Sequence, residues 1–177
     1  MLCATLNLAA HAQVNGVGQR PYLGWSTFSE QTINSGFLTQ ANITAQSDAM
    51  KSSGLQAHGF QYINIDSGWM GSFDGYGRPI PNPATFAGLI AHVHANGQKA
   101  GIYWIPGVES PAVTANYPIL GTPYHIQDIL TKPYTTGNAF GSIFYKIDFT
   151  KPGAQAYMNS VVDLFASWGI DFIKLDA

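Results

Sequence analysis

Short extended apolar runs alternate with stretches of helical periodicity along most of this chain, and that alternation constrains its fold more than any other feature. Strands joined by helices in succession form a parallel sheet, because each crossover helix packs back onto the strands it links. The extended runs lie at 22–25, 60–66, 99–105 and 170–176. Between the first two, Thr39 or Asn42 can cap a helix that carries Ile43, Ala49, Met50 and Ala57 and stops at Gly59, a residue suited to the left-handed position after a helix. Phe86, Leu89, Ile90 and Val93 follow an i, i+3, i+4, i+7 pattern that Gly97 closes. Thr150 or Lys151 can cap a third helix with Pro152 in its first turn, an apolar face of Ala154, Tyr157, Met158, Val161, Phe165 and Trp168, and an end at Gly169.

The reading is an α/β chain with four strands and three helices that closes on its fourth strand. A (β/α)8 TIM barrel takes eight strands and about 250 residues. Residues 13–177 are therefore expected to be the N-terminal half of such a barrel, incomplete alone because strands one and four would keep bare edges. The other solution, a small open α/β sheet, needs a further helix over its outer face after strand four. Two long segments, 71–83 and 106–146, each follow the C-terminal end of a strand, on the rim that carries the active site in barrels of this kind. Their Tyr, Phe, Trp and Ile content argues for ordered, packed loops rather than linkers.

Composition narrows the partner. A charged fraction of 10% and a net charge of −2 leave no basic face for a polyanion, so nucleic acid is not expected. An aromatic fraction of 13%, with Asn, Gln, Ser and Thr in positions that charges usually occupy, suits a neutral, hydroxyl-rich ligand. Residues 1–12 read as the end of a signal peptide, short and mostly apolar, with Ala10-His11-Ala12 as an A-x-A cleavage site. A secreted or periplasmic protein follows, with Cys3 lost and the mature chain without thiols. No apolar run reaches the ~20 residues of a membrane span, and Asn42-Ile43-Thr44 forms a glycosylation sequon. No cofactor or metal is expected. His92 and His94 stand two apart on a helix and point about 200° apart, so they cannot share an ion, and His58 and His125 are given surface roles.

The strands carry the chemistry. Side chains alternate along a strand, so Tyr62, Asn64 and Asp66 share one face and Ile63 and Ile65 the other, while Phe172, Lys174 and Asp176 share one face and Ile173 and Leu175 the other. The aliphatic faces are expected to pack on helices. Asn64, Lys174 and two carboxylates then point into the barrel interior, with each Asp last in its strand and the two strands expected to be neighbours. Buried charges persist when paired or put to use, and a Lys174–Asp salt bridge and a catalytic arrangement both satisfy that rule. Trp25 and Trp69 are equally suited to stacking on a sugar and to packing. Asp163 and Asp171 are assigned no function.

Leu23-Gly24-Trp25, the block from Tyr62 to Met70 (Tyr-Ile-Asn-Ile-Asp-Ser-Gly-Trp-Met), Gly101-Ile102-Tyr103 and the block from Trp168 to Asp176 (Trp-Gly-Ile-Asp-Phe-Ile-Lys-Leu-Asp) resemble, in order, the strand-end motifs of glycoside hydrolase family 27, the α-galactosidase type, in a clan shared with families 36 and 31. Gly77-Arg78-Pro79-Ile80-Pro81-Asn82-Pro83 and Phe86 resemble a further family stretch. The resemblance implies a retaining glycosidase acting on terminal α-linked galactose or a related sugar, with Asp176 as the nucleophile, Asp66, Lys174 and Ser67 bonding sugar hydroxyls, and Tyr103 as a subsite wall. Lys174, two residues before Asp176, is expected to favour its charged form. The family draws its acid/base from a strand beyond the fourth, so the chain alone is expected to be inactive; turnover by it would point to Asp66 or a loop carboxyl such as Asp74, Glu109 or Asp128. Four positions depart from the pattern: Ser67 stands where a second Asp is usual, Phe28 for a Trp, Ile105 for an Asp and Gly68 for a Cys. The resemblance leaves room for α-N-acetylgalactosaminidase or arabinopyranosidase specificity and for a sugar-binding relative without catalysis.

Overall fold

The computed structural model describes residues 21–133, 136–138 and 143–176. The expected signal segment, with Cys3, lies outside the described residues.

The chain opens with β1 (Gly24–Ser26), a short helix α1 (Phe28–Ile33) and α2 (Gln40–Ser52). Thr39 is the cap of α2: its side chain accepts a hydrogen bond from Asn42 N. Asn42 itself sits inside the helix and donates its side-chain amide to Phe37 O at 2.8 Å, so the sequon asparagine is engaged in packing. The helix ends earlier than its apolar pattern suggests, because left-handed Gly54 (φ 81°) breaks it before a 3-10 turn, Leu55–His58, that Gly59 closes. Strand β2 (Tyr62–Ile65) follows, then a hairpin of β3 (Met70–Phe73) and β4 (Pro79–Pro81), α3 (Pro83–Phe86) and α4 (Leu89–Ala95). The one helix expected here is two, split at left-handed Gly88 (φ 72°).

After β5 (Lys99–Trp104) come β6 (Val108–Glu109), α5 (Ser110–Ala115), β7 (Thr136–Asn138) and β8 (Phe144–Tyr145). These strands form a small antiparallel sheet in the order β6-β8-β7, so both long segments contain regular structure. Helix α6 (Ala154–Ser167) begins after Pro152, capped by Gly153, and not at Thr150 or Lys151. Thr150 is held instead by Asp148, whose Oδ1 accepts from the Thr150 backbone N–H and hydroxyl at 3.0 and 2.6 Å. β9 (Phe172–Leu175) ends the described fold.

β1, β2, β5 and β9 lie side by side in sequence order, all parallel, which is the topology of right-handed β-helix-β units. Ile63, Ile65 and Ile102 are fully buried in one core with Ile43, Leu89, Val93, Val161 and Phe165 of the helices. Burying a side chain of this size contributes about 1.5–3 kcal/mol, so the helix-facing side holds the sheet together. Two expected core residues differ. Ile173 is only partly buried against this cluster, and Leu175 is 61% exposed. β9 pairs only with β5, and no described element covers its far side.

The opposite face is closely packed at one point. A Cβ on Gly101 would collide with Asn64 Oδ1 and lie 3.2 Å from Phe172, so the residue between Asn64 and Phe172 must be glycine.

Candidate active site

The C-terminal ends of three strands bring the polar residues to one level. β2 pairs with β5 up to Ile65↔Ile102, and β5 with β9 through Tyr103↔Lys174. Asp66, next after β2, therefore lies level with Tyr103 and Lys174, and Asp176 stands one pleat higher. The two carboxylates are not on adjacent strands as expected: β5 lies between them, and Tyr103 fills the gap.

Asp66 is 2% exposed. Its Oδ2 accepts from Lys174 Nζ at 2.8 Å, and its Oδ1 accepts from Ser67 N at 2.9 Å. Its own N–H donates to Thr27 Oγ1 at 2.8 Å, and Thr27 N donates to Asn64 O, so the end of β1 fixes the end of β2. Lys174 reaches Asp66 across the Tyr103 ring, with the ammonium 5.1 Å from that ring centroid and 5.3 Å from that of Phe28. Cation–π attraction over two rings complements the ion pair. The salt-bridge reading of Lys174 is thus realised, with Asp66 as its partner.

Asp176 is held differently. Tyr103 donates its hydroxyl to Asp176 Oδ2 at 3.0 Å, and Asp176 N donates to Trp104 O at 3.1 Å. Burial, then the hydrogen bond to Asp176 and the charges of Asp176 and Asp66, pushes the Tyr103 phenol far above its ordinary range, so it keeps its proton and remains a donor. Trp69 Nε1 donates to Tyr103 O at 2.7 Å. Trp69 is fully buried among Phe86, Phe165 and Trp168, and Trp25 packs on Phe37. Of the two roles open to these tryptophans, packing is the one they take.

All five residues singled out in the sequence, Asp66, Ser67, Tyr103, Lys174 and Asp176, line one cavity of about 590 Å³, within the usual size of small-molecule sites. Its other walls come from Phe28, Met70, Ile105, Glu109, Ile143 and Phe144. Of this outer wall, the sequence marked Phe28 and Ile105 as departures from the family pattern and Glu109 as one of several fallback acid/base carboxyls; Met70, Ile143 and Phe144 had no signal beyond the position of their segments after strand ends. Of the other loop carboxyls, Asp74 is paired with Arg78 at 2.7 Å and Asp128 accepts from His125 N. His92 and His94 turn apart, to Asp48 and to Asp171. Asp171 also accepts from Ala100 N, which makes it a joint between α4 and the sheet. Among the described residues no group of three His, Cys, Asp or Glu side chains could hold a metal ion, and no helix is long and apolar enough to cross a membrane.

Parallel strands in sequential order, helices on one face and carboxylates at the C-terminal strand ends define part of a (β/α)8 barrel with its pocket on the catalytic rim. No family model matches the chain. It is 33% identical over 170 residues to α-galactosidase 3 of Hypocrea jecorina, covering 86% of this chain and 26% of that protein. Solved structures give the same lineage. A putative α-N-acetylgalactosaminidase of Bacillus halodurans superposes with a TM-score of 0.77 at 27% identity, and a family 27 β-L-arabinopyranosidase of Geobacillus stearothermophilus with 0.78 at 26%, each covering 89% of this chain and 41% of the other. The chain is similar to α-galactosidases in sequence and to family 27 glycoside hydrolases in structure, and it spans between 26% and 33% of the length of curated relatives from H. jecorina, Arabidopsis thaliana and Cyamopsis tetragonoloba.

Proposed function

We propose that the protein carrying this chain is a retaining glycoside hydrolase that releases terminal α-linked galactose, or a closely related sugar, through a covalent glycosyl-enzyme on Asp176. The observation that carries this reading is the Tyr103–Asp176 hydrogen bond inside the pocket. It fixes one carboxylate oxygen on the wall where a sugar ring enters, as a nucleophile requires. Asp176 attacks the anomeric carbon, the glycosidic bond breaks with its electron pair going to the leaving oxygen, and a second carboxyl protonates that oxygen. Water, deprotonated by the same group, then frees the sugar with its configuration retained. The second carboxyl must stand ~5 Å from the nucleophile, and we assign it to a strand outside this chain.

The remaining residues suit sugar recognition. Asp66 and Lys174 offer a fixed acceptor and donor for ring hydroxyls, with Ser67 at the rim. Galactose is the first choice because curated α-galactosidases are the sequence relatives. A second reading, L-arabinopyranose or N-acetylgalactosamine, draws on the structural neighbours and on Ser67, a neutral hydroxyl where the family usually has a carboxylate. Residues 1–12 support export to the periplasm or outside the cell.

The test uses the full-length protein and an aryl α-galactoside. Proton NMR of the first product should show the α-anomer, and Asp176→Asn should lower turnover by several orders of magnitude with its melting temperature little changed. First release of the β-anomer, or near wild-type turnover by the Asn variant, contradicts the reading.

A further inference from the structure

The cavity has one wall without an assigned task. The loop layer over the strand ends presents Phe28, Met70, Ile105, Ile143 and Phe144, all apolar, and, among the described residues, a single ionisable side chain, Glu109. Glu109 Oε1 is buried and has no hydrogen-bond partner among the described residues. Leaving such an atom unpaired costs its desolvation, more for a charged group, and native structures keep very few of them. The placement is rigid. Glu109 pairs with Phe144 in the β6–β8 ladder and stands in extended backbone (φ −69°, ψ 148°) at the cap of α5, whose first turn contains Pro111. On its far side the carboxyl backs onto a closed crevice, so a partner can meet it only from the cavity it lines, with the side chain turned toward that space. The crevice behind Glu109 holds only about 10 Å³ and is walled by Phe73, Pro79, Trp104 and Phe144. The one phenol there, Tyr157, already donates to Gly77 O at 3.0 Å, and a buried water needs two to four polar partners.

Resting on the glycosidase reading above, we propose that Glu109 is a specificity-determining residue that hydrogen-bonds a hydroxyl of the second sugar unit, on the leaving-group side of the scissile bond. The strand-end residues and Asp176 take the terminal sugar. Whatever is attached to its anomeric carbon leaves past the loop layer, where Glu109 is, among the described residues, the ionisable group for a second ring to meet. Burial pushes the Glu109 carboxyl above its usual range, and in either protonation state a carboxyl oxygen accepts a hydrogen bond from a sugar hydroxyl. The preferred substrate class is a neutral oligosaccharide rather than a simple alkyl or aryl glycoside.

The experiment compares melibiose, a galactosyl-glucose, with methyl α-galactoside, using the full-length protein. Both leaving groups are unactivated alcohols, and only melibiose carries second-ring hydroxyls. Glu109→Met should raise KM for melibiose about tenfold, the size of one hydrogen bond, and leave methyl α-galactoside within twofold. Glu109→Asp, which withdraws the carboxyl by one methylene, should do the same if the Met variant fails to fold. Glu109→Gln should restore most of the selectivity. Equal losses on both substrates would make Glu109 an acid/base or a packing residue, and unchanged melibiose kinetics would leave it without a role; either result overturns the proposal. If the wild-type protein cleaves neither sugar, the glycosidase reading fails by itself. Calorimetric binding of the same two sugars then decides Glu109 separately, with a loss of melibiose preference in Glu109→Met expected and equal binding by wild type and variant contradicting it.

Discussion

The strand-end layer and the loop layer of the pocket are built on opposite principles. In the first, Asp66, Tyr103, Lys174 and Asp176 are bonded to one another through an ion pair and a phenol–carboxylate hydrogen bond, and the sheet register sets their spacing. In the second, apolar side chains from four separate segments surround one carboxyl with an orphan oxygen. Preorganised polar groups cost no rearrangement at the moment of reaction, so the strand layer suits chemistry. The loop layer, with little polar structure of its own, suits selection among substrates.

If that division is right, substitutions in the strand layer should cost turnover or stability, and those in the loop layer should change preference. The largest effect expected after that of Asp176→Asn is at Lys174. Lys174→Met leaves Asp66 buried without its cation, and breaking such a pair costs about 3–5 kcal/mol. Because the Lys174 side chain is 40% exposed, about 1–3 kcal/mol is expected after solvent screening. Urea unfolding should report it, and adding Asp66→Asn should recover part of the loss. An unchanged midpoint for Lys174→Met would mean the pair contributes nothing to the fold.

Tyr103→Phe should come next. It removes one charge-assisted hydrogen bond of about 1.5–3 kcal/mol and keeps the ring under Lys174. Turnover should fall about tenfold to a hundredfold, with a loss of stability no larger than the hydrogen bond itself. A fall in stability without a fall in turnover would place Tyr103 among the packing residues.

The smallest effect is a pH dependence in the loop layer. The folded-state pKa of Glu109 is raised by burial. Its contribution to stability is therefore fully present below its unfolded value and is lost as pH rises through the folded one. Glu109→Gln should remove that loss, so its melting temperature should decline less than that of wild type between mildly acid and neutral pH. Parallel curves would show that Glu109 ionises as freely folded as unfolded.

The same contrast explains what was legible in the sequence. Alternation made the strand layer readable: Asp66, Lys174 and Asp176 follow from a period of two on strands whose other face is aliphatic. Sequential strand order was readable for the same reason, and so was the burial of Ile63 and Ile65. Helix boundaries were less so. Gly54 and Gly88 break helices whose apolar spacing continues past them. The expected adjacency of the Asp66 and Asp176 strands failed because the third strand, with Tyr103, lies between them. The partner of Lys174 was open too, since reach across a neighbouring strand depends on register and not on spacing along the chain. The loop layer was readable only in part: its segments were placed on the rim and Phe28, Ile105 and Glu109 were singled out one by one, but not their meeting in one wall. Phe28, Met70, Glu109 and Phe144 meet only through three-dimensional packing, and no local period marks them.

The assignment of Asp176 rests finally on where the sugar becomes attached. The full-length protein should be incubated with a 5-fluoro-α-galactosyl fluoride, which slows breakdown of a covalent intermediate, then digested and analysed by peptide mass spectrometry. One fluorogalactosyl group on the peptide that contains Asp176, absent when excess galactose is present, is the predicted result. A label on Asp66, Glu109 or any other residue, or turnover of the reagent with no labelled peptide and inverted product, would contradict it.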